Sequence, residues 1–201
     1  MHLKVIQTAD GSKSIYNEEL DETYHSRHGA LQEAKHVFIK MGLQPFLDKQ
    51  ARIDVLEIGF GTGLNAWLTA CEAIKSEKEW ESESEYKSEA KKISYIGVEA
   101  YPLNNEQLEE LNYASLSEDD YEKALLAKIQ LCKWEEEVEI HPHFLLTKRK
   151  LLFNEIEEAD RFDLIYFDAF GPRVQPDLWT VEIFRKMYNA LRNGGLLTTY
   201  S

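Results

Sequence analysis

Residues 53–65, with the sequence IDVLEIGFGTGLN, decide the fold of this chain. The first six residues are mostly apolar, which is typical of a buried strand in a parallel sheet. Gly59, Gly61 and Gly63 follow this strand directly, and a helical pattern of apolar residues begins at about Asn65. Glycines between a strand and a helix let a ligand approach backbone amides that side chains would otherwise block. The stretch therefore predicts a ligand site where the strand meets the helix.

Strand-like and helix-like patterns alternate through the rest of the chain. The other strand-like segments are residues 93–98, about 138–145, 162–167 and 196–200. Helical patterns occupy residues 65–74, 104–113, 119–134 and 176–192. This alternation predicts an α/β fold with a doubly wound, mostly parallel sheet that binds ligands at the carboxyl ends of its strands. Because the fifth of these strands coincides with the end of the chain, we expect a Rossmann-like sheet that lacks its last strands.

The first 50 residues differ from the remainder. An alternating stretch at residues 3–6 is followed by a predicted loop as far as about His28 and then by a helical pattern from Gly29. We expect one domain over residues 1–201, in which residues 1–50 form a lid region for substrate and cofactor. Residues 51–201 would form the Rossmann-like core, shortened at its C-terminus. The charged segment 75–92 is predicted to be either a surface extension of a helix or a flexible insert.

Composition limits the class of protein. A chain of 201 residues with 43% hydrophobic residues can bury one core. It has no apolar run near the roughly 20 residues that span a bilayer, and its N-terminus lacks a signal-peptide pattern. Cys71 and Cys132 are far apart without nearby metal-ligand spacing, which argues against a disulfide framework or a zinc site. We therefore expect a cytoplasmic protein with no membrane contact, no metal and no obligate protein partner.

The net charge of −13 argues against broad, nonspecific binding of nucleic acid. A local basic face remains an alternative, and it would combine the Lys148, Arg149 and Lys150 run with Arg173 and residues 27–40. The simpler interpretation is that these are solvated surface charges.

The glycine motif allows two cofactor classes. Residues 61–66 satisfy the pattern G-x-G-x-x-A, so a nicotinamide or flavin cofactor stays open. However, Glu57 precedes Gly59 by two positions, and this E-x-G-x-G-x-G form resembles motif I of S-adenosylmethionine-dependent methyltransferases. At the end of the next strand, Glu99 is placed to accept hydrogen bonds from ribose hydroxyls in either class. The predicted cofactor-binding residues are Glu57, Gly59, Gly61, Gly63, Asn65 and Glu99.

A second carboxylate follows the strand 162–167. Asp168 begins the sequence DAFGP, in which Phe170 offers a flat apolar surface and the Gly171-Pro172 pair a rigid turn. We predict that Asp168 holds a nucleophilic amine, with Phe170 packed against the ring that carries it. Since the reference pKa of aspartate is near 4, a positioning role is expected first and proton transfer only weakly. Alternatively, Asp168 caps the loop and Phe170 belongs to the core.

Four segments together resemble one family. They are residues 21–38 (DETYHSRHGALQEAKHVF), residues 56–65, residues 168–172 and residues 176–179 (PDLW). They resemble the Rossmann-like class I methyltransferase that completes 5-methylaminomethyl-2-thiouridine at the wobble position of tRNA, found as half of a bifunctional enzyme or as a stand-alone domain. The resemblance implies S-adenosylmethionine as cofactor and methylation of the exocyclic amine of 5-aminomethyl-(2-thio)uridine in tRNA.

The resemblance also assigns individual residues. Asp168 would meet the substrate amine as the catalytic residue, and Tyr24 and Ser26 would lie near the pocket mouth. Trp179 would be either a pocket wall or a buried anchor for its helix. The predicted substrate-binding residues are therefore Tyr24, Ser26, Phe170, Pro172 and Trp179. The family often has a Gly-Asp pair after the third strand, whereas this chain has FLLT at residues 144–147, so backbone atoms or Thr147 are expected to contact the adenine.

Three other functions stay open at this point. One is an S-adenosylmethionine-dependent methyltransferase that acts on a small-molecule or protein amine. The second is a nicotinamide-dependent oxidoreductase, and the third is a non-catalytic domain that keeps a ligand pocket.

Overall fold

The computed structural model describes residues 3–26, 28–47, 49–83 and 91–200, with residues 77–83 described by their backbone alone. The N-terminal elements are β1 (Leu3–Gln7), β2 (Lys13–Asn17), β3 (Glu22–Thr23), α1 (Ala30–Ala34), a run of wide π-type turns (Lys35–Leu43) and α2 (Gln44–Leu47). Then follow β4 (Arg52–Ile58), α3 (Leu64–Glu83), β5 (Lys92–Glu99), α4 (Asn105–Leu111) and α5 (Asp120–Leu131). The last elements are β6 (Glu137–His141), β7 (Phe144–Lys150), β8 (Phe162–Phe167), α6 (Val181–Ala190) and β9 (Leu191–Thr199). No helix in the described parts of the chain combines the length and apolarity needed to cross a bilayer.

The main sheet has six strands in the order β6-β7-β5-β4-β8-β9. All neighbouring strands are parallel except β6, which runs antiparallel to β7. One core cluster joins the sheet to the N-terminal helices, α3 and α5, and a second joins it to α6. The α/β architecture with a mostly parallel, doubly wound sheet agrees with the prediction, and the central strand β4 carries residues 53–58.

Two of the sequence predictions for strands are wrong in detail. The segment predicted as one strand over about 138–145 is a hairpin, in which β6 and β7 pair around Pro142 and His143. The strand β6 alternates between polar and apolar residues, whereas β7 begins with three consecutive apolar residues, and both patterns are compatible with one continuous strand. Thr147 consequently lies inside β7 beside Ile96, and it is not at the carboxyl edge where an adenine contact was expected. The last strand begins at Leu191 rather than residue 196, because α6 already ends at Ala190.

The N-terminal segment is more ordered than the predicted loop. Its strands β1, β2 and β3 form a separate antiparallel sheet. Asp10, in the turn between β1 and β2, accepts hydrogen bonds from the backbone N–H of Ser12 and of Gln32. The Ser12 hydroxyl accepts one from the N–H of Ala30. These bonds satisfy amides at the start of α1 that have no partner within the helix, so they fix the small sheet to the helix.

The charged segment after residue 75 continues α3 as far as Glu83, which agrees with the predicted helix extension. Residues 84–90 lie outside the described residues, as does Arg27 of the predicted basic region. Three other members of that region do not provide free surface charges. Lys148 is 1% exposed, Arg149 pairs with Glu158, and Arg173 pairs with Glu22.

Candidate active site

A cavity of about 310 Å³ opens at the carboxyl ends of β4, β5 and β8, and its volume is in the range typical of small-molecule sites. Seven of the predicted site residues line it: Tyr24, Gly59, Gly61, Asn65, Glu99, Asp168 and Phe170. The remaining five, Ser26, Glu57, Gly63, Pro172 and Trp179, are not on its wall. Glu99, the last residue of β5, and Asp168, which follows β8, therefore face the same cavity.

The glycine loop crosses the end of β4 in a conformation that glycine favours. Gly59 has φ of +90°, and the backbone N–H groups of Gly59 and Phe60 both donate to the carbonyl of Val98 at 3.0 Å. A Cβ atom at Gly59 would overlap with the carbonyl oxygen of Asp168. The loops after β4 and β8 thus touch through their backbones, and this close approach needs a residue without a side chain.

The Phe60 side chain packs the glycine loop against the main sheet. Its ring packs edge-on against Trp134, with 6.0 Å between ring centroids. The ring also covers Gly97 of β5, where a Cβ atom would overlap with Cδ2 of Phe60. Gly97 therefore provides the space into which the loop side chain fits.

We predict that Gly97→Ala destabilises the protein by about 2–3 kcal/mol, because the added methyl group forces the Phe60 ring out of its slot. Chemical denaturation should report this as a lower free energy of unfolding. Gly171→Ala is the matched control, since a Cβ atom there would meet no atom within 4 Å. Equal stability of the two variants would contradict the assigned packing of Phe60.

The Glu99 carboxylate is held in place by two backbone amides. Its Oε2 accepts from the N–H of Gly61 at 3.0 Å, and its Oε1 accepts from the N–H of Tyr101 at 3.0 Å. Both oxygens keep lone pairs that can accept further donors from the cavity. This geometry suits the predicted role of binding two ribose hydroxyls, which stays a prediction.

Asp168 belongs to a buried chain of polar groups. The side-chain amide of Asn65 donates to Asp168 Oδ2 at 2.8 Å and to Glu57 Oε1 at 2.9 Å. Asn65 is 3% exposed and Glu57 is 1% exposed. Glu57, predicted to contact the cofactor, therefore lies behind Asn65, and its link to the cavity runs through the Asn65 amide.

Burial changes the protonation of these carboxyl groups. It raises the pKa of Asp168 to about 8, the negative charge of Glu33 adds to the rise, and the Asn65 hydrogen bond opposes it. Burial and the charge of Asp168 hold the pKa of Glu57 well above its usual value. The reference pKa near 4 assumed for Asp168 in the sequence argument therefore does not apply. At neutral pH and without ligand, Asp168 is mostly protonated.

The raised pKa of Asp168 predicts a pH dependence of stability. A carboxyl group that binds its proton more tightly when folded stabilises the protein at low pH, and this contribution is lost as pH rises through the folded pKa of about 8. Asp168→Asn is neutral at every pH and can keep the bond from Asn65. About 4 kcal/mol of this contribution is lost between pH 5 and pH 9, and 1 kcal/mol shifts the Tm of a domain of this size by about 2–4 °C. We therefore expect the Tm of Asp168→Asn to exceed that of the wild type by an amount that grows by about 10 °C over this range.

Thermal melts without ligand across this pH range test the expectation. Asp177→Asn serves as the matched control because Asp177 is exposed, and its Tm difference from the wild type should stay constant. A constant difference for Asp168→Asn as well would mean that Asp168 is ionised throughout.

Aromatic side chains form the opposite wall of the cavity. The rings of Tyr24 and Phe170 meet edge to face, with centroids 5.1 Å apart. Trp179 stands behind them, since its Nε1–H donates to the carbonyl of Phe170 at 2.8 Å and its ring packs on Phe167 at 5.4 Å. Of the two alternatives for Trp179, its position fits the anchor rather than the pocket wall. Pro172 is exposed outside the cavity.

The N-terminal segment supplies the third wall. Ser26 is not on that wall, and its backbone N–H donates to Glu33 Oε2 at 2.9 Å. Burial raises the pKa of Glu33 to about 7. The segment instead contributes the side chains of Asn17, Leu20 and His25 to the cavity. Sequence reasoning missed these three because it treated the segment as a loop.

Tyr101 and Phe153 also line the cavity without having been predicted. Tyr101 follows Glu99 by two residues, so its position just after a strand could have predicted that it lines the cavity. Phe153 lay beyond reach because the sequence argument ended the third strand at residue 145, whereas β7 continues to Lys150.

Comparisons with known proteins bear on this site. Residues 112–201 match the sequence model of a family described as S-adenosyl-L-methionine-dependent methyltransferase. Relatives named tRNA 5-methylaminomethyl-2-thiouridine biosynthesis bifunctional protein MnmC include that of Paraburkholderia xenovorans (28% identical, 90% of this chain, 27% of the relative). Another is that of Leptospira interrogans (26% identical, 92% of this chain, 28% of the relative). The chain therefore resembles a methyltransferase domain of the MnmC type.

The solved structure of MnmC2 from Aquifex aeolicus has the same fold as this chain. It is 22% identical with a TM-score of 0.71, and the match covers 100% of this chain and 60% of that chain. The prediction of a Rossmann-like class I methyltransferase fold is confirmed, and the family description confirms S-adenosylmethionine as the cofactor class. The chain spans little more than a quarter of the length of these MnmC relatives.

Proposed function

We propose that this methyltransferase transfers a methyl group from S-adenosylmethionine to the exocyclic amine of 5-aminomethyl-(2-thio)uridine at the wobble position of tRNA. The observation that carries the proposal is that Glu99 and Asp168 line one cavity, on either side of the glycine loop. The relatives' names, which refer to tRNA 5-methylaminomethyl-2-thiouridine biosynthesis, support this acceptor. The proposed place of action is the cytoplasm, where such a tRNA would be available.

The residues of the cavity fit the cofactor. Gly59 lets the glycine loop lie against the Asp168 backbone, and at Gly61 a Cβ atom would lie beside the Tyr24 ring of the cavity wall. Glu99 offers acceptors to a ribose. When bound, S-adenosylmethionine supplies an electrophilic methyl group on a positively charged sulfur. Glu99 and Asp168 line the cavity, and Glu57 lies behind Asn65. The negative charge of these carboxylates when ionised favours a cationic ligand. The predicted roles of Gly63 and Asn65 are then indirect, since Gly63 contacts Phe60 and Asn65 holds Asp168.

Asp168 is the proposed partner of the acceptor amine. As an alkylammonium ion enters, its charge favours the ionised carboxylate, which then orients the nitrogen. Proton transfer from an amine of pKa near 10 to an ordinary aspartate crosses a gap of about six units. In the empty cavity the pKa of Asp168 is near 8, which would reduce the gap to about two units, and the ammonium charge lowers that pKa again, so the gap with the amine bound lies between about two and six units. Asp168 can therefore position the amine and also accept its proton.

The other walls of the cavity fit the acceptor base. Tyr24 and Phe170 offer ring edges and faces beside Asp168, on which a flat uracil ring can stack. Trp179 contributes indirectly, because its indole N–H donates to the backbone carbonyl of Phe170 and so fixes the loop after β8. Residues 1–50 are proposed as a lid region because Asn17, Tyr24 and His25 line the same cavity.

A methylation assay with radiolabelled cofactor tests the proposed acceptor. The acceptor RNA is tRNA from cells that lack this methyltransferase, and tRNA from cells that contain it is the control. We expect label in the first tRNA only, recovered after digestion as the modified wobble nucleoside. Label in protein or small molecules but not in tRNA would favour an S-adenosylmethionine-dependent enzyme for another amine.

Calorimetry tests the cofactor independently of the acceptor. S-adenosylhomocysteine is expected to bind in the micromolar range, whereas NAD is expected not to bind. Binding of NAD without binding of S-adenosylhomocysteine would support the oxidoreductase. Cofactor binding without turnover on any acceptor would support a binding domain.

A further inference from the structure

Lys148 is a buried cation outside the cavity. It lies in the middle of β7 beside Gly97 and is 1% exposed. Within the described ranges, no carboxylate lies within ion-pair distance of its ammonium group, and burial lowers the pKa of Lys148. A buried ammonium is unfavourable unless it is compensated by hydrogen bonds or other contacts. We therefore ask which contacts compensate the buried charge of Lys148.

The contacts of Lys148 lead to the glycine loop by two routes. Its Nζ donates to the carbonyl of Gln130 at 2.8 Å, and the side-chain amide of Gln130 donates to the carbonyl of Thr62 at 3.1 Å. Its Nζ also lies 5.0 Å from the ring centroid of Trp134 and 5.9 Å from that of Phe60. The ammonium therefore lies near the Phe60 ring and is connected to Thr62 of the glycine loop through Gln130.

The position of Gln130 explains why a cation suits this place. Gln130 is in the last turn of α5, where carbonyl groups lack partners within the helix and the helix dipole is negative. The Lys148 ammonium satisfies one of these carbonyls and so fixes the end of α5. Gln130, held in this way, donates a hydrogen bond from its side chain to the glycine loop.

We propose that Lys148 is a positioning residue for cofactor binding, which holds the loop of residues 60–62 through Gln130 and Phe60. The inference rests on the proposed function, because it assigns that loop to S-adenosylmethionine. A neutral side chain at position 148 leaves the helix end and the Phe60 ring free to shift. The loop amide of Gly61, which orients Glu99, shifts with them. Loss of the charge should therefore weaken cofactor binding although Lys148 does not line the cavity.

Lys148→Met tests the proposal, because methionine keeps most of the volume and removes the charge. Calorimetry with S-adenosylhomocysteine should give a Kd about tenfold higher than that of the wild type. The matched control is Met187→Ala in α6, a fully buried position in the other core cluster. Met187→Ala should lower the Tm at least as much as Lys148→Met does, and it should leave the Kd within twofold of the wild type. An unchanged Kd for Lys148→Met would overturn the proposal and leave Lys148 a purely structural residue.

Gln130→Met keeps the test decisive if Lys148→Met does not fold. Gln130 is half-buried, and its replacement by methionine removes the side-chain donor to Thr62. The backbone carbonyl that Lys148 contacts is retained. It should raise the Kd for S-adenosylhomocysteine about fivefold. A wild-type Kd in this variant would overturn the connection through Gln130. If the wild-type protein itself does not bind S-adenosylhomocysteine, the proposed function fails, and this inference fails with it.

Discussion

Replacing Asp168 by alanine is expected to lower kcat/KM for tRNA methylation by about three orders of magnitude while the affinity for S-adenosylhomocysteine stays within a few-fold of the wild type. The substitution removes the acceptor that orients the amine, and positioning together with proton transfer contributes effects of roughly this size. It leaves the backbone of the loop intact, including the bond from the Asp168 N–H to the Ile58 carbonyl at 2.8 Å. Steady-state kinetics and calorimetry measure the two quantities separately.

Asp168→Asn separates the two contributions of the carboxylate. An amide can still accept a hydrogen bond from the substrate amine, but it can neither carry a negative charge nor accept a proton. We expect it to be nearly as inactive as the alanine variant. Asp120→Ala is a suitable control because the Asp120 side chain is 95% exposed on α5. Full activity in Asp168→Ala would discard the role assigned to this residue.

The central part of the fold and site could be predicted because it depends on local sequence. The apolar run 53–58, the glycines that follow and the carboxylates Glu99 and Asp168 are each defined within a few residues of a strand end. Parallel strands bring their carboxyl ends to one edge, so sequence position alone places these groups together. The cavity contains both carboxylates for this reason.

Other features depend on contacts between distant segments and could not be predicted from local patterns. The small N-terminal sheet has strands of five, five and two residues, too short for a reliable periodic signal. Lys148 looked like part of a surface charge run, yet it is buried because it caps α5 and lies under Phe60 and Trp134. The raised pKa of Asp168 likewise comes from burial and from the distant residue Glu33.

Gly59→Ala is expected to abolish measurable binding of S-adenosylhomocysteine, with a rise in Kd of at least about a hundredfold. Gly59 has φ of +90°, which an L-amino acid with a side chain rarely adopts. A Cβ atom there would also overlap with the carbonyl oxygen of Asp168 and lie 3.0 Å from its carbonyl carbon. Since both obstacles are backbone atoms, relief requires one loop to move away from the other. We therefore expect a lower Tm together with the loss of binding.

Gly61→Ala distinguishes damage to the fold from damage to the cavity. Gly61 has φ of +48°, near the left-handed helical region, and a Cβ atom there would be 3.5 Å from the Tyr24 ring, an ordinary contact. The alanine methyl group would project into the cavity, so we expect weaker cofactor binding with a Tm only slightly below that of the wild type. Gly171→Ala should change neither quantity. If Gly59→Ala bound S-adenosylhomocysteine as tightly as Gly171→Ala does, the glycine loop could not be the floor of the cofactor site.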